Sequence, residues 1–447
     1  MSGNNNIQFN EAFGEHTGIS ANCRHDIYCV KNNDANEEMF RMSFRDARQF
    51  TDLSWRLLGR YIANSTHLKM VDLSKCGLTD EKMASLFYEL KYSNSLTRLD
   101  LVINSFGIDG LRSMIPFLKN SPNLSIIYLY RNNNISTDGF ELLVQTLHGR
   151  PVKKIYLQSC NITDISALDT YNLPDLQHLN LGENNISREG CITIANLLQQ
   201  EGSNLIHLDL DGAVMGDGEA ELLATSLENN TKLNTLYLQG NNITERGCKA
   251  FLKRLVDVSS IKNTYSSNHT LTNFWKRDKT TMIGHINSAV QLNKLNQSSR
   301  HSAGRAKVIR YQLNSQNRQE MCRVQGIEYR SIGNLFADIE PNLLPRILAL
   351  IGSSHGQSEL YTALIPMVPD LMSCVDTRGM IKDLMARKAV QMAELTRQLA
   401  VLSVENDQLS RRLAARESSG DSRHLAIVER TGETAAESGK KRQRSEE

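Results

Sequence analysis

Residues 233–243 read LNTLYLQGNNI, which sets Leu233, Leu236, Leu238, Asn241 and Ile243 at the offsets LxxLxLxxNxL. The same pattern begins at Leu68, Leu96, Leu124, Val152, Leu176 and Leu205, and successive starts lie 28, 28, 28, 24, 29 and 28 residues apart. Seven units at a nearly fixed period are the signature of an array. One unit cannot bury its apolar face alone, so stacked neighbours share a continuous core.

The offsets have a physical cause. In a short parallel strand the fourth and sixth residues of the unit point inward, and the first and last apolar residues close the turns around it. Asn at the ninth position can satisfy backbone groups of a buried turn, which cannot stay unpaired; Cys76 and Cys160 replace it in two units. After each strand comes a small polar or acidic cap, often with Gly, as in Ser136-Thr137-Asp138-Gly139, Ser187-Arg188-Glu189-Gly190 and Asp217-Gly218. Apolar residues then fall at helical spacing, as Leu142, Leu143 and Leu147 do. Each unit is therefore expected to hold one strand and one helix. The fold class is α/β, a solenoid with parallel strands inside and helices outside, followed by a small helical region and a C-terminal coiled-coil helix.

A chain of 447 residues accommodates two or three domains, and 40% apolar with 22% charged residues is ordinary soluble composition. The formal net charge of +2 argues against a protein that coats polyanions as a whole. The N-terminus has no charged region followed by an apolar run, so no signal peptide is expected. No stretch approaches the roughly 20 apolar residues of a membrane span. Eight cysteines without zinc-type pairing read as reduced thiols. Sequons such as those at Asn134, Asn185 and Asn242 arise from the repeat itself, being the turn residue, the closing apolar residue and the helix cap.

Residues 1–45 are Asn-rich at their start and are expected to be mobile. Residues 46–275 form the solenoid with its caps. A helix over residues 46–63, with Phe50, Leu53, Leu57, Leu58 and Ile62, would close its N-terminal end. At the other end, residues 261–271 keep the 28-residue frame with Thr264 and Ser266 at core positions, the mark of a terminal unit, and Phe274 and Trp275 would cover the edge. Residues 276–377 read as a helical region and 378–416 as a coiled coil. There Leu395, Leu402 and Leu409 alternate with Leu399 and Asn406 at heptad spacing, which predicts a parallel homodimer, the alternative being a single helix folded back on residues 276–377. Residues 417–447 are expected to be a disordered tail, and the basic run near its end reads equally as a nuclear signal or as a soluble basic tail, so the expected compartment is cytoplasmic, with the nucleus as the alternative.

The repeat resembles the ribonuclease-inhibitor-like class of leucine-rich repeats, the intracellular class with 28 to 29 residues and an α-helix per unit. That class also occurs in NOD-like receptors and the Ran GTPase-activating protein. The resemblance covers roughly residues 46–272 and implies the solenoid fold; it leaves function open. The Val152 unit departs from the pattern, being shorter and holding Pro174, so its helix is expected to shrink to about a turn.

Function is sought on the concave face, where non-core strand residues align in columns. The fifth residues of the units are Asp72, Asp100, Tyr128, Tyr156, Asn180, Asp209 and Tyr237; the seventh include Tyr130 and Asp211. Tyr128, Tyr130 and Tyr156 would form a central patch, with Asp72 and Asp100 on one side and Asp209, Asp211 and Tyr237 on the other. Such a surface suits another protein of basic or amide-rich character. Similarity to the Ran activator would instead imply a GTPase contact through a strand-to-helix turn such as Arg131-Asn132-Asn133-Asn134, but the acidic run expected after that family's repeats is absent. His178, His207 and Asp209 could in principle hold a metal, although two His and a carboxylate on a flat sheet read better as surface residues. The segment before the heptads is not basic, which argues against DNA binding in the manner of a basic zipper. The expectation is a non-enzymatic protein-binding scaffold, without metal or cofactor and not attached to membrane.

Overall fold

The computed structural model describes residues 2–275, 281–297, 299–313 and 315–329, together with Arg397 and Arg411. The chain divides into two units, residues 1–371 and 372–447; apart from those two arginines, the described residues lie in the first. The heptad positions Leu395, Leu399, Leu402, Asn406 and Leu409, residues 330–377 of the expected helical region and the expected tail of residues 417–447 lie outside the described residues.

Nine strands of three residues build one sheet in chain order, every neighbouring pair parallel. They are β1 (Met39–Arg41), β2 (Met70–Asp72), β3 (Arg98–Asp100), β4 (Ile126–Tyr128), β5 (Lys154–Tyr156), β6 (His178–Asn180), β7 (His207–Asp209), β8 (Thr235–Tyr237) and β9 (Asn273–Trp275). The central residues pair across the sheet from Phe40 through Val71, Leu99, Ile127, Ile155, Leu179, Leu208 and Leu236 to Phe274. All are buried. Because side chains alternate across a strand, the first and third residues face the other way.

The strands stop after three residues because the chain turns at once, and the ninth-position residue holds that turn. Asn104 Nδ2 donates to the carbonyl oxygens of Leu101 (2.9 Å) and Leu73 (3.1 Å), and Asn184 Nδ2 to those of Leu181 and Leu157 (both 2.9 Å). Asn132 and Asn241 repeat the arrangement. Each amide thus satisfies one carbonyl of its own unit and one of the unit before, groups that would otherwise be buried unpaired. Cys160 makes the inter-unit contact with a weaker donor, its Sγ lying 3.3 Å from the Leu129 oxygen.

Helices return between the strands and pack side by side. The helix Asp52–Asn64 opens on a Thr51 cap whose side chain accepts from Ser54 N, and it lies against the helix Asp80–Leu90. In the Val152 unit the helix is only Ala167–Thr170, as that unit's short spacing implies.

Both ends differ from the expectation. Residues 1–45, expected to be mobile, include the helices Ser2–Phe13 and Ala21–Lys31 and the strand β1. Phe13, Ile27 and Val30 are buried, and Phe13 packs on Phe50 and Tyr61 at ring separations of 5.5 and 6.2 Å. The sparse apolar residues cover an end that would otherwise expose core, and that burial outweighs the Asn-rich composition. At the other end, residues 261–266 form a capped helix in place of a strand, and β9 begins only at Asn273. Leu271 and Phe274 can fill the core there, whereas Thr264 and Ser266 cannot. Beyond it, the helix Thr281–Leu295 packs on the helix Glu245–Leu255 through buried Met282, Ile283, Ile286 and Ala289.

Candidate functional site

On the outward face of the sheet, the register brings Arg41, Asp72, Asp100, Tyr128, Tyr156, Asn180, Asp209 and Tyr237 into one column. Tyr128 and Tyr156 stack with centroids 4.2 Å apart and planes 11° from parallel, and Tyr130 meets Tyr128 edge-on at 6.4 Å. From the other neighbouring strand Arg98 sets its guanidinium carbon 4.6 Å from the Tyr128 ring centre. Burial, and next the neighbouring Tyr128, push the Tyr156 hydroxyl up to about 12, so that ring is uncharged at neutral pH.

Asp72 and Asp100, expected to offer their charge to a partner, are engaged within the chain. Asp100 is buried and takes three hydrogen bonds from Arg98, Nη2–Oδ2 at 2.7 Å, Nε–Oδ1 at 2.9 Å and Nε–Oδ2 at 3.2 Å. Asp72 receives Arg41 Nε at 2.8 Å and the Ser74 backbone N–H at 3.0 Å. Asp100 therefore orients Arg98 over the tyrosine, a fork-on-carboxylate geometry that a Lys would not reproduce. Beside this group lies a hollow of about 530 Å³ whose lining includes Arg41, Lys75, Arg98, Tyr128, Tyr130 and Arg131.

The far half of the column has the opposite sign. Asp209 accepts from Asn180 Nδ2 (2.9 Å) and from the Asp211 backbone N–H (3.0 Å), while Asp211 accepts from the Gln239 backbone N–H at 2.6 Å. Burial, and then the charges of Asp209 and Glu183, raise the Asp211 carboxyl to about 6. His178 stacks on His207 at 5.4 Å, and Tyr237 meets His207 edge-on at 5.0 Å. Burial, then the nearby Lys154 and then His207, depress the His178 imidazole to about 4, and burial also lowers that of His207. Both rings are thus neutral at physiological pH. No group of three or more His, Cys, Asp or Glu that could hold a metal occurs among the described residues.

The Asp211 carboxyl gives a pH prediction. Its acid form is favoured in the fold, so rising pH from about 4 to above 6 ionises the unfolded chain first and lowers stability. Asp211→Asn keeps an acceptor for Gln239 N–H and removes that loss. Its melting temperature should match the parent's near pH 4 and exceed it above pH 6. The expected gain is about 1 kcal/mol once partial solvent screening is allowed for. A constant difference across that range would refute the assignment.

Arg98 could have been read from the sequence: it precedes Asp100 by two residues, hence shares its face, and it belongs to a third-position column that runs Met70, Arg98, Ile126, Lys154, His178, His207 and Thr235. Arg41 could not, because β1 itself was not recognisable.

A protein-family model described as Leucine Rich repeat matches residues 64–86, 172–195 and 229–252. These are leucine-rich repeats. Each match takes in one strand, β2, β6 or β8 respectively, and runs into the helix that follows. Among curated proteins, the repeats are similar to NACHT, LRR and PYD domains-containing protein 14 of Mus musculus, 26% identical over 272 residues, covering 53% of this chain and 27% of that protein. They are also similar to capping protein, Arp2/3 and myosin-I linker protein 3 of Rattus norvegicus, 28% identical over 220 residues, covering 48% of this chain and 14% of that one. The chain thus spans about a quarter or less of the length of these relatives. Among solved structures, a chain of the yeast Rad7 and Elc1 complex is 18% identical and covers 57% of this chain and 81% of its own, with a TM-score of 0.30. The alternative of a Ran-type GTPase activator finds no support in these relatives. No helix among the described residues is long and apolar enough to cross a membrane.

Proposed function

We propose that the chain is a non-enzymatic scaffold that docks a partner protein on the strand face, anchored on Tyr128, Tyr130 and Tyr156. The observation that carries this reading is the Arg98–Tyr128–Tyr156 stack. Three planar groups from adjacent strands are held in one geometry while still partly exposed, so a partner can cover large area at small entropic cost. Repetition supports it too, since stacked units supply an extended surface of aligned columns. The name of one relative describes a linker of capping protein, Arp2/3 and myosin-I, in keeping with a connecting role. We assign the repeats to the ribonuclease-inhibitor-like class on their 28-residue spacing and helix per unit. In this reading Asp209, Asp211 and Tyr237 form a second contact zone that takes basic or amide groups. The heptads of residues 378–416 join two copies, which would raise avidity for a repeated partner. The compartment is cytoplasmic or nuclear.

The test is affinity capture with the full chain from a lysate, followed by mass spectrometry, beside a variant in which all three tyrosines become Ala. The variant should keep its melting temperature, because the three rings lie outside the core, and lose a captured partner by tenfold or more. Full retention by a folded variant would remove the tyrosine anchor.

A further inference from the structure

The residue that follows each strand's turn, the eighth of the unit, lies in the left-handed backbone region all along the sheet. Lys75 (φ 60°), Ile103 (φ 54°), Arg131 (φ 59°), Ser159 (φ 53°), Glu183 (φ 52°), Gly212 (φ 65°) and Gly240 (φ 71°) share it. This conformation suits glycine and disfavours any residue with a Cβ, most of all a β-branched one. The last two positions use Gly. Over β2, β3 and β4, however, the chain places two cations flanking an isoleucine, against the backbone preference. Ser159 and Glu183 share the conformation, so what sets this part of the surface apart is the chemistry of its side chains, two cations about an apolar residue.

Those side chains border the hollow beside the tyrosine platform. Its lining includes four cations, Arg41, Lys75, Arg98 and Arg131, and two carboxylates, Asp72 and Asp100. Both carboxylates are already paired, with Arg41 and Arg98. Lys75 and Arg131 are exposed and have no ion-pair partner among the described residues. The lining of the hollow therefore carries a surplus of two positive charges on exposed side chains, with Arg131 within electrostatic reach of Glu183.

We infer that the β2–β4 part of the strand face recognises an acidic, extended peptide segment of the partner, with carboxylates on Lys75 and Arg131 and an apolar side chain against the Ile103 and tyrosine surface between and beside them. The inference rests on the docking reading above and names the chemistry of its partner. Geometry sets the spacing: β2 and β4 are two strand intervals apart, roughly 10 Å, and in an extended chain of the polyproline II kind, with three residues per turn at about 3.1 Å each, side chains i and i+3 share one side and lie about the same distance apart. The segment is thus acidic at positions i and i+3. The charges beyond β5 limit it. Glu183, Asp209 and Asp211 follow, so the same segment turns neutral or basic on that side. A nucleic-acid strand, with one phosphate per nucleotide, would meet this acidic half unfavourably and would find only two unpaired cations in the other.

Because glycine already occupies the same position in two units, Lys75→Gly and Arg131→Gly remove each charge while easing the backbone. Fluorescence anisotropy with the full chain would use three labelled probes: the peptide Gly-Gly-Glu-Ala-Ala-Glu-Phe-Gly-Gly, the same peptide with Lys for both Glu, and a nine-nucleotide oligo-dT. The acidic peptide should bind, more tightly at low salt. Each Gly variant should weaken it about tenfold with a melting temperature equal to or above the parent's. Equal or tighter binding of the Lys peptide, or of oligo-dT, would overturn the inference, as would unchanged affinity in both Gly variants. Lysate capture separates the two readings. A partner lost with the tyrosines but kept by the Lys75→Gly, Arg131→Gly double variant leaves the docking face standing and removes its acidic specificity.

Discussion

Leu236→Ala is expected to lower the unfolding free energy by about 2–5 kcal/mol, the range for truncating a large buried aliphatic side chain. Tyr237→Ala, one residue on, is expected to change it by far less. Leu236 is the central residue of β8, fully buried between Leu208 and Phe274 in the stacked core. Leu208 and Phe274 are held in place by their own strands and close only partly on the space left, so a cavity remains. Tyr237 faces outward, partly exposed, against His207, and truncation there forfeits one edge contact worth roughly 1 kcal/mol. Urea unfolding of the two variants beside the parent decides it. Equal losses would show that the assignment of inward and outward residues is displaced by one position.

Gly59→Ala should also destabilise, by about 1–3 kcal/mol, although the same change in a solvent-facing helix interior stabilises by up to about 1 kcal/mol. Gly59 is buried in the helix Asp52–Asn64, where it faces the helix Asp80–Leu90. A Cβ on it would collide with the Leu86 carbonyl oxygen and come within 3.1 Å of the carbonyl carbon. The obstacle is backbone, which cannot rotate aside as a side chain can. The helices would have to separate, loosening Trp55, Leu58 and Ile62 along with Leu86 and Leu90, all buried. A melting temperature at or above the parent's would contradict so close an approach.

The repeating units were readable because their signal is redundant: apolar residues at fixed offsets, the ninth-position Asn, and a helix cap, all recurring at one spacing. Where that redundancy lapses, the reading fails. In β1 the core positions hold Phe40 and Met42, and Arg45 stands where six of the seven other units carry Asn or Cys and the Leu205 unit carries Ala213. At the other end a capped helix interrupts the count, and a frame kept by spacing alone pointed to Thr264 instead of Phe274. Physical filling of the core, not numerical periodicity, decides the last strand. The fifth-position column was legible for the same reason as the core, since register carries both. Charge was not. Whether Asp72 presents a free carboxylate depends on Arg41, which the topology brings across from a strand lacking the motif.

The ninth-position asparagines have a consequence for how such a chain lengthens. Each amide donates to a carbonyl of its own unit and to the matching carbonyl of the unit before, and those acceptors are the same at every step. Nothing in the bonding identifies which unit it belongs to. Excising residues 96–123 would bring Leu124 to the place of Leu96 and offer Asn132 the Leu73 carbonyl in place of that of Leu101. Gain or loss of a whole period by unequal recombination therefore leaves the scaffold bonded, while a gain or loss of any other length does not. The outward columns enjoy no such protection: that excision would remove Arg98 and bring Tyr128 beside Asp72. Inheritance can thus change the length of the array cheaply, and each change rewrites the surface it displays.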